Sequence, residues 1–278
     1  MSNASLAAWG GASEMPPVGM LLREWRKRRH RSQLDLALDA EISQRHLSFL
    51  ESGRSRPSRE MILRLADHLD IPFREQNRLL TAAGFAPVHA ERSLDDPALD
   101  AAREAVQKIL RGYEPHPALA VDRHWTMIYA NRALEPLLFS IAPALLEPPV
   151  NVLRVSLHPQ GLAPRILNFR EWRAHILLRL TQQIAASADM ALVSLQKELQ
   201  AYPVPEAEKA GLAADVTAYG GVAVPLRLAS EAGPLEFLST TTVFGTALDI
   251  TLSELAIEAF FPTNGETAER FARLFALD

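Results

Sequence analysis

Between Val18 and Gly84 the apolar residues recur every three or four positions, the spacing that lines one face of an α-helix. Leu21, Leu22 and Trp25 form a first stripe. Leu34, Ala37 and Leu38 form a second, with small Ala37 where two helices approach closely. Leu47 and Leu50 make a third, and Met61, Ile62, Leu65, Ala66 and Leu69 a fourth. Ile71-Pro72 breaks the run, and a fifth helix is predicted from Glu75 to Ala83. A further helix is predicted over Ala98–Arg111. After Gly112 the period changes. Ala118–Val121 and Trp125–Tyr129 read as strands around a turn at Asp122-Arg123, followed by a helix from Asn131 through Leu138. Helices are predicted from Phe169 to about Ala186 and from Met190 to Tyr202. Strands over Val222–Leu228 and Leu235–Gly245 flank a turn at Glu231-Ala232-Gly233. Leu255–Phe261 is one more strand, and a last helix covers Asn264–Ala276. The expected class is α+β, an N-terminal all-α five-helix part followed by an antiparallel sheet with helices. The expected division is a flexible segment at 1–17, a domain at 18–84, a linker at 85–97 and a second domain at 98–278.

The third stripe has informative neighbours. At about 100° per residue, Leu47 and Leu50 lie opposite Gln44, Arg45, Ser48 and Phe49. Ser43 stands where an N-cap hydroxyl accepts from an unpaired backbone N–H. Gln pairs with adenine N6/N7, Arg with guanine O6/N7, and Phe lies against a thymine methyl, so this is the chemistry of a base-reading face. An ordinary helical hairpin with a polar face is the alternative. Against it stands the match of Gln33, Ala37, Ile42, Ser43-Gln44, Leu47/Leu50 and Glu51-x-Gly53 to a pattern: residues 18–84 resemble the lambda-repressor/Cro (XRE) type of helix-turn-helix domain. The resemblance implies DNA contact by Gln33, Ser43, Gln44, Arg45, Ser48 and Phe49, with Arg54 and Arg56 clamping phosphates beside the groove. It also implies an Arg26–Glu51 pair, which makes Arg26 structural. The rest of the basic run to Arg31 is either a solvated face or phosphate contact. One position departs, because Glu41 occupies a turn site that is usually Gly; left-handed backbone there is strained for Glu.

Charge supports this division. Residues 18–84 hold 13 Lys+Arg against 9 Asp+Glu, a balance of +4, while the rest of the chain carries −8. Phosphate attraction is thus confined to one end. The chain has no cysteine, which excludes disulfides, thiolate metal sites and cysteine nucleophiles. No apolar run approaches the roughly 20 residues of a membrane span, and no signal peptide is evident. A cytoplasmic, nucleoid-associated protein without membrane contact is expected.

Past residue 98 no reaction is written in the sequence. There is no nucleophile elbow, P-loop or His-Glu-x-x-His, and Tyr219-Gly220-Gly221 reads as a turn. The eight histidines lack ligand spacing, so no metal, no cofactor and no enzyme are expected. Apolar residues beside isolated polar groups are candidates for a ligand site. Phe169, Trp172, Ile176 and Leu180 make one helical stripe. His158 and Asn168 precede it, and Trp125, Tyr129, Phe237 and Thr241 are expected to look inward from the sheet. Plain hydrophobic core is the alternative for each. The two strands followed by Asn131-x-Ala133 resemble the opening of a PAS domain. Asn151-x-Leu153-Arg154, His158-Pro159-x-Gly161-Leu162, Asn168-x-x-Glu171 and the late Phe237-x-Ser239-Thr240, Phe244-Gly245-Thr246, Asp249-Ile250-Thr251 and Phe260-Phe261-Pro262 are similar to the MmyB-like transcription regulators. That resemblance implies a PAS-like ligand-binding domain. The expectation is a DNA-binding regulator that recognises a double-stranded operator as a homodimer. It would be gated by a mostly apolar small-molecule effector, a fatty-acyl compound among the options. A dimerisation or protein-partner module without ligand is the alternative.

Overall fold

The structure is a computed structural model that describes residues 16–205, 223–245, 247 and 249–276. Most of the N-terminal segment, the Tyr219-Gly220-Gly221 turn, Val222 at the expected start of a strand, and Thr246 lie outside the described residues. The chain divides into two units between His89 and Ala90.

The first unit is five helices: α1 (Val18–Arg28), α2 (Gln33–Asp39), α3 (Gln44–Glu51), α4 (Arg59–His68) and α5 (Phe73–Ala82). Three serines start helices in the same way. The hydroxyls of Ser32, Ser43 and Ser58 accept from the backbone N–H groups of Asp35, His46 and Met61, contacts typically worth about 1 kcal/mol each. Leu22, Trp25, Leu36, Ala37, Leu47, Leu50, Ile62, Leu65, Leu79 and Leu80 form the core. Gly19 brings α1 against α3, since a Cβ there would stand 2.2 Å from the Leu50 carbonyl oxygen. The stripe expected on α2 is corrected. Leu34 and Leu38 are 60% and 76% exposed, and the helix buries Leu36 beside the expected Ala37. Glu41 takes the left-handed conformation, φ +55°, while its neighbour Ile42 donates back to the Ala37 carbonyl at 2.9 Å. Residues expected as linker begin on this unit: Asn77 Oδ1 accepts from the N–H groups of Val88 and His89, whose ring stacks on Phe73.

The second unit holds a five-stranded antiparallel sheet in the order β2-β1-β5-β4-β3. The strands are β1 (Ala118–Val121), β2 (Met127–Ala130), β3 (Leu226–Leu228), β4 (Leu235–Val243) and β5 (Ala256–Pro262). This is the α+β, PAS-like arrangement expected. Helix α6 (Asp100–Gly112) lays Val106 and Leu110 on one face, against Ala118, Ala120, Ile257 and Ala259. Helices therefore cover both faces. The other face carries the larger core with short α7 (Pro143–Leu146), α8 (Val152–Leu157), α9 (Phe169–Ser187) and α10 (Met190–Ala201). After one-turn α11 (Ile250–Ser253), α12 (Gly265–Phe275) adds Phe271 to that core. The helix expected over Asn131–Leu138 is a 3-10 helix at Arg132–Leu137 with Pro136 inside it. Residues 90–97 belong here, with Arg92 paired to Asp249 at 3.0 Å.

Candidate functional site

Two places concern function, one on each unit. On the first, the outer side of α3 presents exposed Gln44 and Arg45 with half-buried Ser48 and Phe49. Leu47 and Leu50 anchor the helix from behind at 1% exposure or less. Gly53, at φ +74°, turns the chain so that the N–H groups of Arg54 and Ser55 both donate to the Phe49 carbonyl. The turn returns Arg54 to α3. The Arg45 and Arg54 guanidinium carbons lie 5.3 and 5.8 Å from the Phe49 ring centroid, so one aromatic ring carries two cations. Arg56 is exposed beyond them. Gln33 is placed differently. Its amide donates to Glu51 Oε2 at 2.8 Å, which makes it an extension of the Arg26–Glu51 pair. The Ser43 hydroxyl is engaged as a cap.

On the second unit, a cavity of about 90 Å³ lies between the sheet and α7–α9. Its wall is almost wholly apolar, including Leu119, Met127, Leu134, Val150, Leu153 and Phe260. Of the residues expected to face a ligand, Trp125, Trp172 and Ile176 line it. Seven do not, each for a visible reason, and one of them, Leu180, is fully buried core. Phe169 is fully buried core, and Phe237 packs edge-on to Phe271 at 5.5 Å. Asn168 clasps β3, donating to the Pro225 carbonyl and accepting from the Arg227 N–H. His158 Nδ1 accepts from the Gln160 N–H, and its ring meets Tyr202 edge-on. Tyr129 is turned to the α6 face by a register shift. Ala120 pairs with Tyr129 but Val121 pairs with Met127, so Ile128 is an extra residue that reverses the alternation. Thr241 stands behind the wall, and its hydroxyl donates to Glu258 at 2.8 Å.

Glu258 and Arg179 are the charged groups on that wall among the described residues, and the expected site omitted both. Arg179 Nη2 and Nη1 donate to Glu258 Oε1 and Oε2 at 2.9 and 3.2 Å. The guanidinium carbon also sits 4.7 Å from the Trp125 ring centroid. Trp125 Nε1 donates to Gln183 at 2.8 Å, and Trp125 itself has φ +67°. Trp125, Arg179 and Glu258 also line a more open cleft beside the cavity, so the three separate the two spaces. The sequence did carry a signal. Arg179 continues the Trp172–Ile176 spacing, and Glu258 interrupts an apolar strand. Nearby His175 stacks on Trp172, and burial holds its pKa below the ordinary value, with Arg179 adding to the effect.

The MmyB-like transcription regulator ligand binding domain matches residues 102–274, and a helix-turn-helix domain matches residues 22–76. The chain belongs to the MmyB-like transcription regulators. It is a DNA-binding transcription regulator with a ligand-binding domain. No curated relative matches it. Both matched families are regulator modules rather than enzymes. Among the described residues of this regulator, no group of three His, Asp or Glu is placed to hold a metal ion, and no helix is long and apolar enough to cross a membrane.

Proposed function

We propose that this regulator reads a specific DNA operator with residues 43–51 in the major groove and that a mostly apolar small molecule in the second unit gates it. The carrying observation is a nearly all-apolar cavity within the residues matching the ligand-binding family. The helix-turn-helix module is residues 18–84 and the effector module 98–278, and of the intervening residues 85–89 go with the first unit and 90–97 with the second. Gln44, Arg45, Ser48 and Phe49 contact base edges, while Arg54 and Arg56 hold phosphates. The capping role of Ser43 and the Glu51 bond of Gln33 leave these two at the edge of that contact. One recognition helix spans only a few base pairs, so the protein acts as a cytoplasmic, nucleoid-associated homodimer on two half-sites about one helical turn apart. Gating requires that the ligand bind the DNA-competent and incompetent forms unequally.

Trp125, Trp172 and Ile176 contact the ligand, and a short acyl chain is one molecule that suits such walls. Mass spectrometry of a denaturing extract from freshly purified protein tests this directly. A stoichiometric small molecule that alters operator affinity when added back is the expected result. One observation favours the second reading, a dimerisation module without ligand. The cavity is well below the roughly 300 Å³ at which drug-sized sites begin. An empty extract, together with no thermal shift from any apolar compound, would establish that reading instead.

A further inference from the structure

We infer that the cavity selects an uncharged ligand, and that the Arg179–Glu258 pair excludes carboxylates and ammonium ions. This rests on the reading of the cavity as a ligand site. A chain entering the apolar space would leave its polar end beside Arg179 and Glu258, because these two line both the cavity and the open cleft. They already satisfy one another. Glu258 lies on β5 opposite Leu119 of β1 and Thr241 of β4, and its side chain is 5% exposed. Both of its oxygens accept from Arg179, and Oε1 accepts from Thr241 as well. Arg179 is further held by the Thr241 hydroxyl at 2.9 Å and by the Trp125 ring.

A ligand carboxylate has two options here, both unfavourable. It can approach the pair intact and meet the negative charge of Glu258, or it can take Arg179 and leave Glu258 charged and unpaired in a buried position. An ammonium ion meets the mirror problem, since pairing with Glu258 strands Arg179 over the indole. A hydroxyl or an amide escapes both costs, because it shares hydrogen bonds with the pair without changing its charge balance. The cavity is also smaller than the roughly 150 Å³ space that holds benzene in an engineered core, which limits the apolar part to a short chain.

Titrating the ligand-stripped full-length protein with butan-1-ol, butanoate and butylammonium at neutral pH, by tryptophan fluorescence and calorimetry, separates the possibilities. The expected result is binding of the alcohol about tenfold or more tighter than either ion. In Glu258→Gln the side chain keeps its shape and loses its charge, so butanoate should gain about tenfold relative to the alcohol. Butanoate binding the unaltered protein as tightly as the alcohol overturns the inference, as does a folded Glu258→Gln that gives butanoate no advantage. If Glu258→Gln does not fold, the comparison on the unaltered protein decides by itself. Binding by none of the three removes the ligand reading, and this inference with it, which is a different outcome from binding with the wrong preference.

Discussion

Arg26 grips Glu51 through both carboxylate oxygens, at 2.6 and 2.9 Å, and so fastens α1 to the C-terminal end of the recognition helix. The pair is buried, with side chains 10% and 2% exposed, and a further Arg26 N–H donates to the Arg31 carbonyl. Replacing Arg26 by Ala leaves the Glu51 carboxylate buried with only the Gln33 amide to meet it. The expected loss is about 3–5 kcal/mol of unfolding free energy. Urea unfolding followed by circular dichroism measures it, and a loss near zero would mean that α3 is positioned by its leucines alone. Arg26→Lys should recover only part, because an ammonium cannot reproduce the two-point contact.

Glu41 offers the opposite case, a position where substitution should stabilise. At φ +55° its Cβ is strained, and the hydrogen bonds that close the turn come from backbone groups. Glu41→Gly should raise stability by up to about 1 kcal/mol, the relief of strain being offset in part by the greater freedom of glycine in the unfolded chain. A lower melting temperature would show that the Glu41 side chain contributes more than its backbone costs.

How far the sequence was legible follows from the range of the interactions concerned. The Ser43 cap acts across three residues, and it lies at the start of α3 in the structure. The α3 face was equally readable, because Leu47 and Leu50 fix its orientation. Helix α2 was read less well. With seven residues and four apolar ones its stripe is ambiguous, and only packing on its neighbours selects Leu36 over Leu34 and Leu38. At the cavity the failures come from longer range. One extra residue at Ile128 reverses Tyr129, and no local pattern announces it. The Arg179–Glu258 pair joins residues 79 apart, so neither charge reveals its partner to a reading along the chain. Asn168 and His158 carried the right chemistry, yet backbone groups engage the Asn168 amide and the His158 Nδ1.

Base reading and phosphate holding are separable on the proposed DNA face. Gln44→Ala or Arg45→Ala should cost about 1–3 kcal/mol on the preferred operator and relax base preference at one position. Arg54→Ala should weaken binding evenly across sequences and reduce the slope of log affinity against log salt by about one. Because Arg54 also lies over Phe49, Phe49→Leu provides a control that removes the ring and keeps the phosphate contact. Mobility-shift titrations over a salt series read both effects. An unchanged slope for Arg54→Ala would remove Arg54 from the phosphate contacts.

His175 gives the second unit a pH dependence whose sign is fixed by its surroundings. Burial is the main cause of its lowered pKa, the Arg179 guanidinium adds to it, and Glu258 and Glu171 oppose. The folded protein therefore keeps this imidazole neutral at pH values where the unfolded chain binds a proton. Stability rises with pH wherever the unfolded state holds more protons. The contribution is thus complete above the unfolded value of about 6.5. It falls as pH drops below that value and levels off once the folded pKa is passed. The depressed carboxylates of Asp189 and Glu198 also lose stability in acid, but from unfolded values near 4, so their window lies lower. Chemical unfolding at pH about 7.5 and about 5.5 brackets the histidine window. His175→Gln, which cannot titrate, should show a smaller loss between the two than the unaltered protein. Equal losses would assign the dependence to other groups, such as His89, which burial also depresses.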